Sequence, residues 1–319
     1  MTRTALVTGC AGFIGSHLTE SLLADGYAVV GLDCFNNNYG RAQKLHNLEA
    51  AREWERFEFV PLDLAFGDLR DLVADCDAIF HLAAEPGVRA SWDDRFAQYV
   101  RNNIAGTQQL LDAARPFPEK RFVFASSSSI YGEALTLPTH EDALPMPHSP
   151  YGVTKLAAEH LCRAYHANHG IDAVTLRYFS VYGPRQRPDM AFNIFCRAAL
   201  NEEPITVFGD GNQTRDFTFV GDVVNATRLA ADAAELDARV FNVGGGSHIT
   251  LRSALELIEQ FAGRKLDVSY RSREAGDVRD TLADVSRSRE VLGFESGVSF
   301  PDGLLAEFEW VMQGVGAGR

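Results

Sequence analysis

Short apolar runs alternate with amphipathic segments through the first half of the chain. Six apolar runs predict strands at Thr4–Val7, Ala28–Leu32, Phe57–Pro61, Ala78–Leu82, Arg121–Ala125 and Val174–Tyr178. The segments between them follow a helical period and predict helices at Ile14–Ala24, Leu69–Val73, Gln98–Ala114 and Ala157–Asn168. Gly170 follows the last of these as a helix-ending signal. Strands separated by helices indicate βαβ units, and therefore a parallel sheet.

The pattern changes after Tyr178, where glycine and proline interrupt shorter elements. Gly183-Pro184, Arg187-Pro188, Gly209-Asp-Gly211 and Gly244-Gly-Gly246 mark these interruptions. We therefore expect an α/β protein, with a doubly wound parallel sheet and a smaller, mixed α/β carboxy-terminal substrate lobe. The predicted division assigns residues 1–178 and 217–243 to the sheet domain, and residues 179–216 and 244–319 to the substrate lobe.

Charge and cysteine usage narrow the class of protein. The net charge of −13 disfavours nucleic-acid binding, which usually requires a basic face. The five cysteines of the 319-residue chain form no CxxC pair, which is typical of reduced thiols rather than of disulfides or a metal site. The sequence shows neither a secretion signal nor an apolar run of membrane-spanning length. We expect a soluble cytoplasmic protein with no metal, no nucleic-acid partner and no membrane association.

A glycine loop lies between the first strand and the first helix. Gly9, Gly12 and Gly15 allow a tight turn in which backbone amides and a helix amino terminus approach a pyrophosphate. Asp33 closes the second strand, where a carboxylate accepts from a ribose 2′-hydroxyl and repels a 2′-phosphate. The pattern therefore predicts NAD rather than NADP. Asp63, at the end of a later strand, is equally consistent with an adenine contact and with a simple cap.

Tyr151 and Lys155 are four residues apart at the start of a predicted helix, which places both on one face. A phenol has a pKa of about 10 and is a poor base at neutral pH. An ammonium at about 4 Å is worth roughly 4 kcal/mol at an effective dielectric of 20, or about three pKa units. We therefore expect Lys155 to bring the pKa of Tyr151 near neutrality. Chance pairs at this spacing are common, so the interpretation depends on the residues around them.

Those surroundings include a run of serines, Ser126 to Ser129, at the end of the strand Arg121–Ala125. Hydroxyls at the carboxyl edge of a parallel sheet can orient a substrate hydroxyl and share its proton. The glycine loop, the serines and the Tyr-Lys pair occur in this order along the chain. Their combination favours an oxidoreductase-type site over a loop and a buried tyrosine.

With these motifs in place, the chain resembles the extended short-chain dehydrogenase/reductase family of nucleotide-sugar enzymes over nearly its whole length. The matching segments are Val7–Gly15, His81–Ala84, Asn103–Thr107, Ser126–Gly132, Tyr151–Lys155, Arg177–Pro184 and Phe208–Phe217. The resemblance implies a Rossmann-type fold with bound NAD. It also implies that Ser127 hydrogen-bonds the reacting hydroxyl, that Tyr151 is the acid and base, and that Lys155 holds the nicotinamide ribose. The further cofactor contacts it implies are Phe13, Ile14, Leu64, Leu82, Ala83, Ala84, Asn103, Ser126 and Tyr178.

The serine run separates the reactions known in this family. Sugar-nucleotide 4,6-dehydratases carry an Asp-Glu pair after the catalytic hydroxyl residue, because elimination of water needs a further acid and base. This chain has Ser128 and Ser129 there, which cannot do that work at neutral pH. The resemblance therefore favours a redox-neutral 4-epimerase, in which C4 is oxidised to a ketone and reduced from the other face.

The resemblance is closest to the UDP-glucuronate 4-epimerases, through Ser180 and the stretch Gly183–Phe192. The segment Gly87–Ser91 and the loop Cys34–Tyr39 also resemble that group. A C6 carboxylate needs donors, which Ser128, Ser129, Ser180 and Arg187 can supply, although Arg187 is equally consistent with a structural ion pair. By resemblance, Arg215 and Arg279 hold the diphosphate or uridine ribose, and Arg89 and Asn193 are further substrate contacts. Glu85-Pro86 departs from the glutamine-containing version of the family.

Three alternatives stay open at this point. A UDP-glucose 4-epimerase would use the same machinery, and a UDP-glucuronate decarboxylase would exploit loss of CO₂ from the β-keto acid. A non-catalytic NAD sensor is a further class, although such proteins often lack the Tyr-Lys pair. Family members commonly dimerise through the helix containing Tyr151 and the helix Gln98–Ala114, so we expect a homodimer.

Overall fold

The computed structural model describes residues 2–92, 94–234 and 236–317. The strands are β1 (Thr4–Thr8), β2 (Ala28–Asp33), β3 (Phe57–Pro61), β4 (Ala78–His81), β5 (Arg121–Ser127), β6 (Ala173–Tyr178), β7 (Val181–Tyr182), β8 (Ile205–Phe208), β9 (Thr214–Arg215), β10 (Thr218–Phe219), β11 (Val240–Val243), β12 (Ile249–Thr250) and β13 (Val268–Arg271).

The helices lie mostly between successive strands. They are α1 (Phe13–Ala24), α2 (Arg41–Asn47), α3 (Glu49–Arg52), α4 (Arg70–Ala74), α5 (Phe96–Tyr99), α6 (Gly106–Ala114), α7 (Pro150–His169), α8 (Ala191–Asn201), α9 (Val220–Asp232), α10 (Leu251–Ala262), α11 (Ser286–Leu292) and α12 (Phe300–Ala317). Short 3₁₀ turns span Arg89–Trp92 and Ser128–Ile130, and a π-helical segment spans Val100–Ala105.

Seven parallel strands form the central sheet in the order β11-β6-β5-β4-β1-β2-β3. Side chains alternate between its faces, so Leu6 of β1 packs in one core while Ala5 and Val7 pack in the other. A sheet covered on both faces needs apolar side chains at successive positions, which explains the continuous apolar runs of the sequence. The predicted Rossmann-type sheet is confirmed.

A separate hydrophobic core lies in the carboxy-terminal part of the chain. It is built around Tyr182, Phe192, Leu255 and Phe308, with aromatic rings in edge and stacked contacts. The smaller lobe of mixed structure is therefore confirmed as part of the fold. One segment departs from the predicted division, because Leu292 and Phe294 pack in the core of the central sheet although the division assigned them to the smaller lobe.

Two helices differ from their predicted bounds by more than one residue, for local reasons. The predicted helix Ala157–Asn168 begins earlier, at Pro150, because the Ser149 side chain caps it by accepting from the Gly152 amide at 3.1 Å. It ends at Gly170, as predicted, with a left-handed φ of 73°. The predicted helix Gln98–Ala114 is interrupted by the π-helical segment Val100–Ala105, a feature that apolar periodicity does not reveal.

Candidate functional site

The glycine loop makes a tight turn at the carboxyl end of β1. Gly9 has a φ of 74°, and a Cβ there would lie 2.9 Å from the Ala83 nitrogen. A Cβ on Gly15 would lie 2.1 Å from the Gly9 carbonyl oxygen, so the helix packs directly on the turn. Gly12 precedes α1 and offers no side-chain cap to its first amides. Those amides therefore remain available to an anion at the helix amino terminus.

One cavity extends from this turn along the carboxyl edge of the sheet. All of the predicted cofactor residues except Asn103 line it. Its lining includes Gly9, Gly12, Phe13, Ile14, Gly15, Asp33, Asp63, Leu64, Leu82, Ala83, Ala84, Ser126, Tyr151, Lys155 and Tyr178. The substrate candidate Arg187 lines the same cavity. The fold therefore brings the glycine loop, the Tyr-Lys pair and an arginine to one space.

Sequence reasoning did not assign several residues of this cavity. The loop after β2 contributes Asn36, Asn38 and Tyr39, α2 contributes Lys44, and the π-helical segment contributes Asn102. Resemblance in the loop Cys34–Tyr39 was the only signal that pointed to this region, and it gave no individual roles. Conversely, Asn103 is buried and supports the chain behind the cavity by donating to the Glu85 carbonyl at 3.0 Å.

Asp33 lies at the end of β2 with its side chain largely buried. One carboxylate oxygen, Oδ1, accepts from the Phe35 amide at 2.8 Å and lies 3.7 Å from Lys44 Nζ. Asp63 is placed similarly at the end of the neighbouring strand region, where its Oδ1 accepts from the Ala65 amide at 2.9 Å. The Oδ2 of Asp63 lies 3.9 Å from Arg101 Nη2. Each carboxylate thus has local partners that fix its orientation beside the cavity, and Asp33 keeps its Oδ2 for a ligand.

Lys155 is buried one turn into α7. Its ammonium donates to the Ala125 carbonyl at 2.8 Å and lies 5.0 Å from the centre of the Phe124 ring. Burial lowers its pKa from 10.5 to about 8, while the negative charge of Glu159 acts in the opposite direction. A lysine held against a backbone carbonyl is fixed in position, which suits a binding role.

Tyr151 departs from the predicted electrostatics. Burial raises the pKa of its phenol, and the groups that act against burial are the Ser127 hydroxyl and the Arg187 guanidinium. The expectation that Lys155 brings the pKa of Tyr151 near neutrality is therefore wrong for this arrangement. The physical reason is the burial of the phenol, while the Lys155 ammonium donates to the Ala125 carbonyl and is not among the groups that lower the pKa of Tyr151.

The four serines divide between two roles. Ser126 donates to Glu159 Oε1 at 2.5 Å, and Glu159 in turn forms a buried ion pair with Arg177 at 2.9 Å. Ser127 lies at the end of β5, where its hydroxyl donates to Ser129 Oγ at 3.1 Å. Ser126 is thus engaged by the fold, whereas the Ser127 hydroxyl lies beside Tyr151.

A second, smaller cavity adjoins the serine turn. Of the substrate candidates, Ser128, Ser129, Ser180 and Arg215 line it. Most of the Arg215 side chain is buried, and its guanidinium donates to the carbonyls of Thr214, Val278 and Arg279. The remaining lining is Val88, Gly132, His148, Ser149, Gly276, Asp277, Val278 and Thr281. Here too the lining comes from segments far apart in the chain.

Three predicted substrate residues do not line either cavity. Arg89 pairs with Asp277 at 2.9 Å, and Asp277 itself lines the second cavity. Arg279 is half exposed and lies 3.8 Å from Asp210. Asn193 is fully buried and donates to the Gln186 carbonyl at 2.7 Å.

Arg187 has a partner within its own loop. Its Nε and Nη2 donate to the two carboxylate oxygens of Asp189 at 3.0 and 2.9 Å. Asp189 is mostly exposed, whereas the Arg187 side chain is largely buried. This pairing orients the guanidinium and leaves Nη1 for an anionic ligand in the cavity.

Within the described ranges, no helix is both long and apolar enough to cross a membrane.

Comparison with known proteins places the chain among nucleotide-sugar enzymes. The sequence model of the NAD dependent epimerase/dehydratase family matches residues 5–244. The chain is 43% identical to the uncharacterized UDP-glucose epimerase YtcB of Bacillus subtilis (strain 168), covering 96% of this chain and 97% of that protein. It is 38% identical to the UDP-glucuronate 4-epimerase of Thermodesulfobacterium geofontis (strain OPF15), covering 97% and 96%.

A solved structure agrees with these sequence relatives. The UDP-glucuronic acid 4-epimerase of Bacillus cereus, crystallised with UDP-glucuronic acid and NAD, superposes with a TM-score of 0.93 at 42% identity. The match covers 97% of this chain and 99% of the other. The similarity therefore extends over nearly the whole length of both chains.

Proposed function

The chain belongs to the NAD-dependent epimerase/dehydratase family, and we propose that it is the 4-epimerase that interconverts UDP-glucuronate and UDP-galacturonate. The observation that carries this proposal is that Tyr151, Lys155 and Arg187 line one cavity with the glycine loop. That combination supplies a proton-transfer group and a cation for an acidic sugar beside a dinucleotide site.

The residues present fit NAD as the cofactor. Gly9, Gly12 and Gly15 leave no side chain between the amides of the turn and a pyrophosphate, and any Cβ on Gly15 would collide with the turn. Asp33 suits a ribose 2′-hydroxyl, and Lys155 suits the nicotinamide ribose. When bound, NAD supplies the acceptor and donor of the hydride that leaves and returns to C4 of the sugar.

Tyr151 moves the proton of the 4-hydroxyl. It takes this proton as the hydroxyl is oxidised and returns it to the 4-oxygen when the keto sugar is reduced at its other face. Because the hydride removed from C4 also returns to C4, the overall reaction is redox-neutral. Burial keeps the phenol protonated in the ligand-free site, whereas Ser127 and the positive charge of Arg187 favour the phenolate. Ser127 also offers a hydroxyl to the reacting oxygen and aligns it with Tyr151.

Ser128, Ser129 and Ser180 favour epimerisation of an acid over dehydration. All three line the second cavity, where their hydroxyls are donors for a C6 carboxylate or a sugar hydroxyl. None of them has the acid or base strength for elimination of water at neutral pH. This set of neutral donors distinguishes the site from the Asp-Glu arrangement of the dehydratases.

Arg187 is assigned a second task, which is to prevent loss of CO₂. The 4-keto sugar is a β-keto acid, and decarboxylation requires the breaking C–C bond to align with the carbonyl π system. A fixed guanidinium holds the carboxylate by charge-assisted hydrogen bonds and keeps that bond out of alignment. The pairing with Asp189 immobilises Arg187 for this purpose.

We assign the active form as a homodimer acting in the cytoplasm. Val100 and Val153 are exposed on the two helical segments expected to form the interface, and Phe96 is exposed just before the first of them. All five cysteines are free thiols, which suits a reducing compartment. Analytical ultracentrifugation tests the assembly, since a species of one-chain mass at micromolar concentration would contradict a dimer.

The product spectrum with UDP-glucuronate tests the proposed reaction. Without added reductant, the purified protein should convert UDP-glucuronate into an equilibrium mixture with UDP-galacturonate. It should turn over little UDP-glucose. UDP-pentose with CO₂ would identify a decarboxylase instead. Turnover of UDP-glucose alone would identify the neutral-sugar epimerase suggested by the name of the Bacillus subtilis relative.

A further inference from the structure

Glu85 is a buried carboxylate surrounded by side-chain amides. It follows β4 and is 1% exposed. Its Oε2 accepts from Gln98 Nε2 at 2.8 Å, from Asn102 Nδ2 at 3.1 Å and from Asn36 Nδ2 at 3.2 Å. With its amide nitrogen turned toward the carboxylate, Asn38 is a fourth donor. Four donors from three segments thus converge on one side chain.

The chemistry of this cluster requires an acceptor. A carboxylate accepts through both oxygens and donates through neither, so it matches a set of N–H donors. A glutamine at the same position would place its own NH₂ group opposite at least one of these N–H donors, and the two donors could not hydrogen-bond to each other. Lys44 fixes the polarity of the set, because its ammonium donates to Asn36 Oδ1 at 2.5 Å and leaves the Asn36 NH₂ for Glu85. The donors around Glu85 therefore require the carboxylate group itself, and a side chain of the same volume with an N–H donor would not replace it.

The segments joined by Glu85 surround the cofactor cavity. Asn36 and Asn38 belong to the loop of residues 34–40, and Asn102 belongs to the π-helical segment. All three line the cavity. Glu85 itself is fixed through its backbone, because Asn103 accepts from its amide at 2.6 Å and donates to its carbonyl at 3.0 Å. The carboxylate therefore has a fixed position, and the loop of residues 34–40 is hydrogen-bonded to it.

The conformation of the loop of residues 34–40 depends on contacts with neighbouring segments. Phe35 has a φ of 51°, a left-handed conformation that disfavours a bulky side chain and persists only when neighbouring contacts hold it. Cys34, Asn37 and Gly40 are exposed, whereas Phe35 packs against the core of the sheet with its ring 5.2 Å from that of Phe59. The hydrogen bonds of Asn36 and Asn38 to Glu85 complement this packing in holding the loop against the cavity.

We propose that Glu85 is a positioning residue that holds the loop of residues 34–40 closed over the cofactor cavity and thereby slows the release of NAD. This inference rests on NAD binding in the proposed function and does not depend on which sugar is the substrate. The benefit lies in the reaction itself, since the hydride taken from C4 must return to the same sugar. If the cofactor dissociated before the hydride was returned, the keto sugar could not be reduced to the product.

The test measures NAD release from the holoenzyme of the Glu85→Gln variant. Protein loaded with radiolabelled NAD is diluted into excess unlabelled NAD, and the retained label is followed over time. The variant leaves one donor mispaired, so release should accelerate at least about tenfold, which corresponds to about 1.4 kcal/mol. Hydrogen exchange of residues 34–40 should increase in parallel. Release at the wild-type rate would overturn the proposal.

Two further variants separate positioning from general destabilisation. Gln98 does not line the cavity, so Gln98→Glu changes only the donor set by placing a second carboxylate against Glu85, and it should also accelerate release. Glu85→Asp keeps an acceptor and should restore most of the retention lost in Glu85→Gln. Unchanged release in Gln98→Glu, or equal losses in the two Glu85 variants, would contradict the role of acceptor chemistry.

Glu141 supplies a matched control. It is also a buried glutamate, 7% exposed, and its Oε1 accepts from the Asn242 amide at 2.8 Å away from the cavity. Glu141→Gln should lower the melting temperature without accelerating NAD release. Equal acceleration in Glu141→Gln would attribute the effect to lost stability and overturn the proposal. Because no sugar enters the assay, failure of UDP-glucuronate as a substrate would be recognised separately.

Discussion

Lys155 places a positive charge in a buried part of the fold. Replacing it with an uncharged residue should raise the stability of the fold and abolish activity. The lysine is 4% exposed, and burial lowers its pKa from 10.5 to about 8. Lys155→Met keeps the length of the side chain and removes the charge. Turnover should be lost, because the variant has no ammonium for the nicotinamide ribose. The NAD-free protein should nevertheless unfold less readily.

The size of the gain follows from the change in pKa. At pH 7 the unfolded chain carries this proton at a pKa of 10.5 and the folded chain at about 8, so charging the buried group costs about 3 kcal/mol. Loss of the hydrogen bond to the Ala125 carbonyl offsets roughly 1 kcal/mol. The NAD-free variant should therefore be about 2 kcal/mol more stable than the wild type at pH 7.

The gain depends on pH with a defined sign. Between pH 8 and pH 10.5 the unfolded chain binds more protons at this site than the folded chain, so the stability contributed by the site rises with pH. The cost of the buried charge falls to about 1 kcal/mol at pH 9.5. The advantage of Lys155→Met should accordingly shrink as the pH is raised through this window.

Urea unfolding of both NAD-free proteins at pH 7 and pH 9.5 measures the difference. Lys44→Met is the matched control, because Lys44 is equally buried but lies 3.7 Å from the Asp33 carboxylate and donates to Asn36. Its removal should destabilise the protein by leaving Asp33 without a cation. A Lys155→Met variant that is less stable at pH 7, or whose advantage does not change with pH, would refute the reasoning.

Four further outcomes follow from the site. Tyr151→Phe should bind NAD normally and lose about 10²–10⁴-fold in turnover, the usual contribution of a proton-transfer group, whereas retained activity would exclude Tyr151 as the acid and base. Asp33→Ser removes a carboxylate that repels a 2′-phosphate, so the affinity for NADP relative to NAD should rise by about tenfold or more in calorimetric titrations. An unchanged ratio of the two affinities would contradict the role of Asp33 in selecting NAD. Arg187→Met should raise KM for UDP-glucuronate about 10–100-fold and release CO₂ with a UDP-pentose, which product chromatography would detect. Gly15→Ala, whose Cβ would lie 2.1 Å from the Gly9 oxygen, should abolish NAD binding, and normal binding would contradict the tight turn.

Local sequence signals predicted the sheet and the cofactor turn well because both depend on short-range rules. The glycines at 9, 12 and 15 are read from backbone conformation and close approach alone, and Gly170 ends α7 through its own left-handed φ. The continuous apolar runs of β1 and its neighbours follow from burial of the sheet on both faces. In each case the determining contacts lie within a few residues or follow a simple period.

The parts that sequence reasoning did not predict depend on contacts between distant segments. Glu85 acquires its role only when the loop of residues 34–40 and the π-helical segment meet it. The pKa of Tyr151 depends on how deeply the phenol is buried and on which way Lys155 points. Arg89 pairs with Asp277, which is 188 residues away in the chain. No local pattern contains this information.

The most direct test of the central claim follows a deuterium at C4 of UDP-glucuronate through the reaction. If the hydride leaves C4 and returns to the opposite face within one protein molecule, the UDP-galacturonate formed should retain the deuterium at C4. No label should enter free NADH or solvent. Loss of the label to water, its appearance in released NADH, or formation of a UDP-pentose as the main product would contradict a redox-neutral 4-epimerase.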